Sequence, residues 1–177
     1  MVFGSISSEF RNYIHRTWTS DQGLPQNSIY SIAQDKNGFM WFATAEGLVK
    51  FDGINFKLFN KHNVNKFKSN DILAVYEDSF ECLWVGFRNG GALRKCGEQF
   101  ESLEINDEDN PATVSSIVEH DGIIYLGTYE NRINIYKKGA VLPYDKNNFL
   151  PESLIFDMVF SEKGELFVAT DDGVYSI

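Results

Sequence analysis

The sequence repeats itself with a period near 42 residues, and this feature limits the possible folds more than any other. One aromatic residue marks each copy, at separations of 43, 41 and 42 residues: Trp41, Trp84, Tyr125 and Phe167. Two positions later each copy has a small residue: Ala43, Gly86, Gly127 and Ala169. A repeat of this length is typical of solenoids and propellers.

Two further apolar positions recur at a nearly constant distance from the aromatic residue in every repeat. Eight or nine residues before it stand Ile32, Val75, Ile117 and Met158, and seven to nine residues after it stand Leu48, Leu93, Ile133 and Val174. A large and a small residue on the same face of a strand let a ring in one sheet fit beside a thin place in the next. We therefore interpret the four aromatic residues as core, not as a platform for a cofactor or a sugar.

Each repeat contains short apolar segments separated by turns. In the first repeat these segments cover 29–35, 39–44, 47–52 and 55–59, and Asp52-Gly53 is a strong hairpin signal. Four antiparallel strands joined by short turns make up a propeller blade. The sequence therefore predicts an all-β propeller whose four blades cover 28–60, 71–103, 114–143 and 154–177.

The fourth repeat reaches only the end of its third strand, since Ile177 stands in the column of Phe51. The apolar segment 10–18 is a candidate for the missing outer strand, so 10–27 is predicted as a closing strand with its loop and 1–9 as a tail. Open sheet edges leave backbone groups unpaired. Three arrangements satisfy them: a four-bladed ring closed by one chain, an eight-bladed ring made by two chains, or a piece of a longer propeller. Of these we expect a homodimer, formed by strand exchange or ring pairing.

Charge and composition exclude some classes of function. The net charge of −9 and the pI near 4.8 argue against nucleic acid as a partner, because phosphate binding requires clustered Lys and Arg. No segment approaches the roughly 20 apolar residues of a membrane helix, and the first residues lack the features of a signal peptide. We expect contact with a membrane only through segments that this chain lacks.

Catalytic and metal-binding patterns are scarce. The histidines His15, His62 and His120 lie far apart in the sequence, so we expect no metal site, and no motif indicates a cofactor. Asp35 and Asp78 recur with the blade and are interpreted as turn caps in preference to catalytic acids. The sequence therefore predicts that the chain is not an enzyme.

The two cysteines fall on one predicted hairpin. If the second repeat turns around Asn89, Cys82 and Cys96 lie directly opposite each other. A disulfide would fit an oxidising compartment. The alternative is a pair of free thiols used as small apolar residues.

A ligand site is predicted at the end of the propeller where the loops between second and third strands meet the connectors between blades. The polar candidates there are Arg88, Asn89, Tyr129, Glu130, Asn131, Arg132, Asp171 and Asp172. An aromatic residue among hydrogen-bonding groups suits a sugar or another polar small molecule. The alternative is a set of ordinary solvated loops.

The first repeat also carries a family resemblance. The segment SIYSIAQDKNGFMWFATAEGLVKFDG, preceded by WTSDQGLPQNS, resembles the two-component regulator propeller repeat, and the likeness extends over roughly 13–177. Later copies depart from the pattern: Glu81 replaces a turn glycine, and Tyr125 and Phe167 replace Trp.

This resemblance implies the sensor region of a hybrid histidine kinase or diguanylate cyclase receptor, and with it a periplasmic setting. We therefore expect a non-catalytic sensor that binds an unknown small molecule or oligosaccharide and passes the signal to an output module absent from this chain. A propeller lyase resembling the streptogramin lyases and a protein-binding scaffold are the alternatives. Fold alone does not choose among them.

Overall fold

The computed structural model describes residues 15–107, 110–130, 132–150 and 152–177. In these residues the chain forms an all-β propeller of four sheets, which confirms the predicted fold class. The predicted tail at 1–9 and most of the predicted closing strand lie outside the described residues. Residues 15–18, its described part, are not in a strand. No helix in the described part of the chain is long and apolar enough to span a membrane.

The first two blades each have four antiparallel strands in sequential order. Blade one contains β1 (Ile29–Gln34), β2 (Met40–Thr44), β3 (Gly47–Phe51) and β4 (Phe56–Phe59). Blade two contains β5 (Ile72–Glu77), β6 (Leu83–Phe87), β7 (Ala92–Cys96) and β8 (Gln99–Leu103). A short two-stranded ribbon, β9 (Asn106–Asp107) and β10 (Asn110–Pro111), follows blade two.

Blade three is also four-stranded, whereas the described sheet of blade four has three strands. Blade three contains β11 (Val114–His120), β12 (Ile123–Thr128), β13 (Ile133–Lys137) and β14 (Ala140–Pro143). Blade four contains β15 (Ile155–Phe160), β16 (Leu166–Thr170) and β17 (Gly173–Ser176). Two single 3-10 turns, Ser20–Gln22 and Asn147–Phe149, lie in the segments that precede blades one and four.

Neighbouring blades pack face to face in chain order, with β1, β5, β11 and β15 as the innermost strands. The aromatic residues of the first three repeats each lie in a cluster with apolar residues of the next blade: Trp41 with blade two, Trp84 with blade three and Tyr125 with blade four. The small residue beside it is required by the closeness of the sheets. A Cβ at Gly86 would lie 2.6 Å from the carbonyl oxygen of Val114.

The strand pairing corrects one column of the sequence alignment. Leu48 pairs with Ala43, and the residue that pairs with the equivalent Gly86 is Ala92, whereas Leu93 pairs with Val85. The chain between Gly86 and Ala92 is one residue longer than the chain between Ala43 and Leu48. Aligning aliphatic residues by type therefore placed Leu93 on the wrong face of its strand, because neighbouring strand residues point to opposite sides.

The recurring aspartates cap the turns between first and second strands. In blade two, Asp78 accepts hydrogen bonds from the backbone N–H groups of Phe80 (3.0 Å) and Cys82 (2.8 Å) and from Trp84 Nε1 (2.7 Å). In blade one, Asp35 binds Trp41 Nε1 in the same way at 2.8 Å. The carboxylate thus ties the turn to the buried aromatic residue of its own blade.

Asp78→Ala is expected to lower the free energy of unfolding by about 2–4 kcal/mol, because it leaves a buried indole N–H and two backbone N–H groups without an acceptor. Urea denaturation followed by tryptophan fluorescence measures this change. The matched control is Asp145→Ala, an exposed aspartate whose loss should change stability by less than about 0.5 kcal/mol. Equal small effects of both substitutions would contradict the capping role.

Cys82 and Cys96 form a disulfide across the β6–β7 hairpin, next to the paired residues Leu83 and Lys95. The bridge closes a loop with a sequence separation of 14. A cross-link of this length stabilises a domain by about 3 kcal/mol, mainly by restricting the unfolded chain.

Replacing both cysteines, Cys82→Ser with Cys96→Ser, is expected to lower the free energy of unfolding by about 3 kcal/mol. A thiol reductant should lower the Tm of the wild-type protein and leave that of the double variant unchanged. If the reductant shifted both proteins equally, the bridge would not be the source of the stabilisation.

Candidate functional site

The innermost strands share an irregularity at the end of the propeller where the loops between second and third strands lie. In every blade the pairing of the innermost strand shifts register around its second residue: Tyr30, Leu73, Ser115 and Phe156. Such β-bulges redirect side chains and are common beside functional sites. Two of the four redirected side chains, Tyr30 and Phe156, are exposed aromatic rings.

The same end of the propeller is held by a repeated backbone hydrogen bond. The N–H of the first loop residue after the second strand donates to the residue just before the innermost strand: Arg88 to Asp71 (2.9 Å), Tyr129 to Thr113 (3.0 Å) and Asp171 to Leu154 (3.3 Å). This bond fixes each loop against the entrance of its own blade. We call this end of the propeller the upper rim.

A half-exposed ion pair lies on the upper rim of blade two. Arg88 Nε donates to Asp71 Oδ2 at 2.7 Å, and the hydrogen bond and charge of Asp71 raise the pKa of Arg88 above its ordinary value. The other carboxylate oxygen, Asp71 Oδ1, is buried and has no hydrogen-bond partner among the described residues. A buried acceptor without a partner is uncommon and calls for a donor.

One aromatic ring lies beside this ion pair and meets a second ring that belongs to another blade. The Arg88 guanidinium lies 6.0 Å from the ring centroid of Tyr129, and Tyr129 meets Phe156 edge to face at 6.0 Å. Tyr30, at the bulge of blade one, is exposed at the same end of the propeller. We refer to Tyr30, Asp71, Arg88, Tyr129 and Phe156 as the rim cluster, which takes residues from all four blades.

Most of the other predicted residues hold the loops in place. Thr113 joins two of them: its Oγ1 donates to Asn89 Oδ1 at 3.0 Å, and its N–H donates to the Glu130 carboxylate at 3.0 and 3.1 Å. Arg132 closes the blade-three loop through its backbone, with its carbonyl accepting from the N–H of Thr128 at 2.9 Å. Asn131 lies outside the described residues.

The two predicted aspartates of blade four do not join the cluster. Asp171 accepts from the N–H of Leu154 at 2.7 Å, and Asp172 accepts from the Tyr175 hydroxyl at 3.2 Å. Among the predicted residues that the structure describes, Arg88 and Tyr129 are therefore the two that lie together beside the ion pair.

Sequence reasoning missed three members of the rim cluster, namely Tyr30, Asp71 and Phe156. Tyr30 and Phe156 occupy one column of the repeat, and this recurrence was a usable signal. The bulge that turns their side chains away from ordinary strand alternation depends on backbone pairing, which the sequence does not display.

A second group of polar and aromatic side chains lies at the opposite end of the propeller, where Arg94 lies over the rings of Trp84 and Tyr136 and its buried Nε has no hydrogen-bond partner among the described residues. Within the described residues, no group of three or more His, Cys, Asp or Glu is placed to hold a metal ion. His120 stacks on Phe160 with ring centroids 4.3 Å apart. At the opposite end, clefts of about 370 and 320 Å³ lie between blades one and two and between blades two and three, the second containing Arg94 and Tyr136.

Comparison with known proteins agrees with the geometry of the repeat. Residues 23–46 match the family described as two component regulator propeller. The first repeat thus resembles a two-component regulator propeller repeat over these residues. The sequence-based resemblance is thereby confirmed for the copy that carries the full motif.

Two longer proteins of two-component systems resemble the chain. Histidine kinase P4 of Formosa agariphila is 38% identical over 58 residues, which are 33% of this chain and 4% of that protein. The extracellular domain of a protein described as a hybrid two component system from B. thetaiotaomicron superposes with a TM-score of 0.75 at 26% identity, over 92% of this chain and 26% of that one. The chain thus spans a small part of either relative.

The fold is shared with an enzyme as well. A streptogramin B lyase structure superposes with a TM-score of 0.66 at 17% identity, covering 87% of this chain and 55% of the lyase. At this level of identity the likeness concerns the fold alone.

The rim cluster and the loop-holding residues should differ in their effect on stability. Arg88→Gln is expected to change the free energy of unfolding by less than about 1 kcal/mol, because the ion pair is half exposed. Thr113→Val should cost about 1–3 kcal/mol, since it removes a buried hydroxyl that both donates to Asn89 and accepts from its N–H. Urea denaturation of both variants measures the difference, and the reverse order would contradict this division of roles.

Proposed function

We propose that this chain is part of the extracytoplasmic sensor propeller of a bacterial two-component-type receptor and binds a small polar molecule or an oligosaccharide without converting it. The observation that carries the ligand site is the rim cluster, in which a half-exposed ion pair lies beside the ring of Tyr129 and one of its carboxylate oxygens has no hydrogen-bond partner among the described residues. The likeness to an extracellular domain of a two-component system supports the sensor role.

The chemistry of the rim cluster suits a ligand with several hydroxyl or amino groups. The terminal nitrogens of Arg88 make no hydrogen bond to other described residues and can donate to ligand oxygens, while Asp71 Oδ2 holds the guanidinium in place. Tyr30, Tyr129 and Phe156 offer apolar ring surface beside these groups. A few placed polar groups among aromatic side chains are the usual composition of a small-molecule site.

The disulfide supports the proposed location. Bonds of this kind persist in oxidising compartments and are rare in the reducing cytosol. The Cys82–Cys96 bridge therefore fits a periplasmic or other extracytoplasmic domain.

Ligand binding at the rim cluster would act directly on how the blades are arranged. The rim cluster draws Tyr30 from blade one, Asp71 and Arg88 from blade two, Tyr129 from blade three and Phe156 from blade four. A ligand held by these side chains would add a bridge between blades to their packed faces and to hydrogen bonds such as that between Asn89 and Thr113. We propose that the resulting shift in blade orientation is what an output module reads, as differential binding to two arrangements requires.

The test is a binding screen of neutral and acidic mono- and oligosaccharides and of amino acids, followed by tryptophan fluorescence and calorimetry. A ligand of this domain should bind the wild-type protein and lose at least about tenfold in affinity in Arg88→Gln, about 1.4 kcal/mol. The control is Lys138→Gln, which changes a charge beside the cleft at the opposite end. Binding that depended on Lys138 and not on Arg88 would remove the rim cluster from consideration.

Product analysis of the same mixtures separates this proposal from its alternatives. An unchanged ligand supports a non-catalytic sensor, whereas a cleaved ligand would favour a lyase of the streptogramin type, which shares the fold. Absence of any small ligand, together with capture of a protein partner, would favour a scaffold.

A further inference from the structure

Blade two places an arginine beside its buried tryptophan, facing blade three. Arg94 of β7 pairs with Trp84 of β6, and its Cζ lies 5.5 Å from the ring centroid of Trp84 and 5.4 Å from that of Tyr136 in blade three. The equivalent position holds Lys50 in blade one and Ile135 in blade three. The repeat itself therefore does not require a guanidinium here.

This guanidinium has little compensation for its charge and keeps donors for a ligand. Of its five N–H hydrogens, one goes to the Tyr136 hydroxyl and one to Cys82 Sγ, each at 3.3 Å. The nearest described carboxylate, that of Glu101, is 3.9 Å away, beyond hydrogen-bond distance. The buried Nε has no partner among the described residues. A partly buried cation in this state is stabilised by a negative charge brought close to it.

A ligand can reach this charge through the cleft of about 320 Å³ between blades two and three, at the end opposite the upper rim. The Arg94 side chain forms part of the wall and is 23% exposed. The Tyr136 hydroxyl accepts from Arg94 and donates to no acceptor in the described part of the chain. Because the two donors are 3.3 Å apart, the two oxygens of one carboxylate can accept from both.

The same cleft offers apolar surface beside these donors. Phe80, in the turn between β5 and β6, lines the cleft and is 71% exposed. On the side of blade three the cleft is lined by Ile124 and by Gly122 and Gly139, and a Cβ at either glycine would meet nothing within 4 Å. The space next to the exposed ring is therefore open. A ring among a few hydrogen-bonding groups is the usual composition of a small-molecule site.

The charges of the cleft suit a ligand with a single negative charge. Arg94 and Lys138 are positive, and Asp78 and Glu119 are negative. Both carboxylates are already hydrogen-bonded inside the fold, Asp78 within its own turn and Glu119 to the N–H of Ser79 at 2.7 Å. The uncommitted hydrogen-bonding capacity of the cleft therefore belongs to its cations.

The neighbouring cleft between blades one and two differs in this respect. Lys50, the equivalent of Arg94, lies 3.5 Å from the ring centroid of Phe39. That cleft is lined by two lysines and four carboxylates: Lys50, Lys95, Asp35, Glu77, Glu81 and Glu98. An anion is disfavoured there, so Lys50 provides a matched control for Arg94.

We propose that the cleft between blades two and three is a second binding site, for a small molecule that carries a carboxylate on a sugar or aromatic ring. The carboxylate accepts from Arg94 and from the Tyr136 hydroxyl, and the ring packs against Phe80. Since these residues come from two blades, the ligand ties blade two to blade three. This inference does not depend on the rim cluster or on its ligand.

Calorimetric titration at low salt tests the site with three probes. Glucuronate and benzoate carry a carboxylate on a sugar ring and on an aromatic ring, and glucose is the neutral counterpart of glucuronate. At least one of the two carboxylates should bind with a Kd below about 10 mM and at least about tenfold more tightly than glucose. The one that binds identifies the ring.

Three variants assign that binding to the cleft. Arg94→Gln should weaken it at least about tenfold, and Tyr136→Phe, which keeps the ring, at least about threefold. Phe80→Ala changes an exposed side chain, so it should weaken binding and leave the fold intact even if Arg94→Gln does not. Lys50→Gln removes the equivalent charge of blade one and should bind like the wild type. Urea denaturation checks that each variant is folded.

Three results would overturn the proposal. The first is that neither carboxylate binds with a Kd below about 10 mM. The second is that glucose binds as tightly as the carboxylates. The third is binding that Tyr136→Phe and Phe80→Ala leave unchanged, as a ligand held at the rim cluster would show.

Discussion

The structure depends on the close approach of neighbouring sheets, which requires a large ring and, two positions later on the same strand, a glycine or an alanine. Trp84 is fully buried against blade three, and two residues later Gly86 leaves no room for a Cβ because the carbonyl oxygen of Val114 is so near. Close packing of this kind cannot absorb an extra methyl group without moving backbone. The sequence repeats with a period near 42 residues because each blade needs the same large and small residues to pack on the next blade.

This packing also decides where chemistry can take place. Both faces of an internal blade are buried by apolar contacts. Polar groups that can still form hydrogen bonds with a ligand therefore lie at the two ends of the strands. At the upper rim a bulge in each innermost strand turns one side chain out of the regular alternation. Where that side chain is aromatic, as at Tyr30 and Phe156, it joins the Arg88–Asp71 pair in the rim cluster.

Some polar side chains of the upper-rim loops hold the loops in place, and others are exposed to solvent. Thr113 is buried and binds both Asn89 and Glu130, so these polar residues are committed to the fold. Arg88 is committed through one nitrogen only, and Asp71 through one oxygen. Residues of similar polarity and position in the sequence thus have different roles, and the difference lies in whether a partner from another segment reaches them.

The sequence by itself determined the fold class, the four repeats, the β6–β7 register that brings Cys82 opposite Cys96, and the turn-capping role of Asp35 and Asp78. These features follow from the alternation of apolar and polar residues, from the residues at turns and from the repeat, all of which can be read from residues close together in the sequence. It found Arg88 and Tyr129 for the candidate site but not Tyr30, Asp71 or Phe156, and it aligned Leu93 where Ala92 belongs. Only the tertiary structure decided these points, because bulges, loop lengths between paired strands and contacts between blades arise from residues far apart in the sequence.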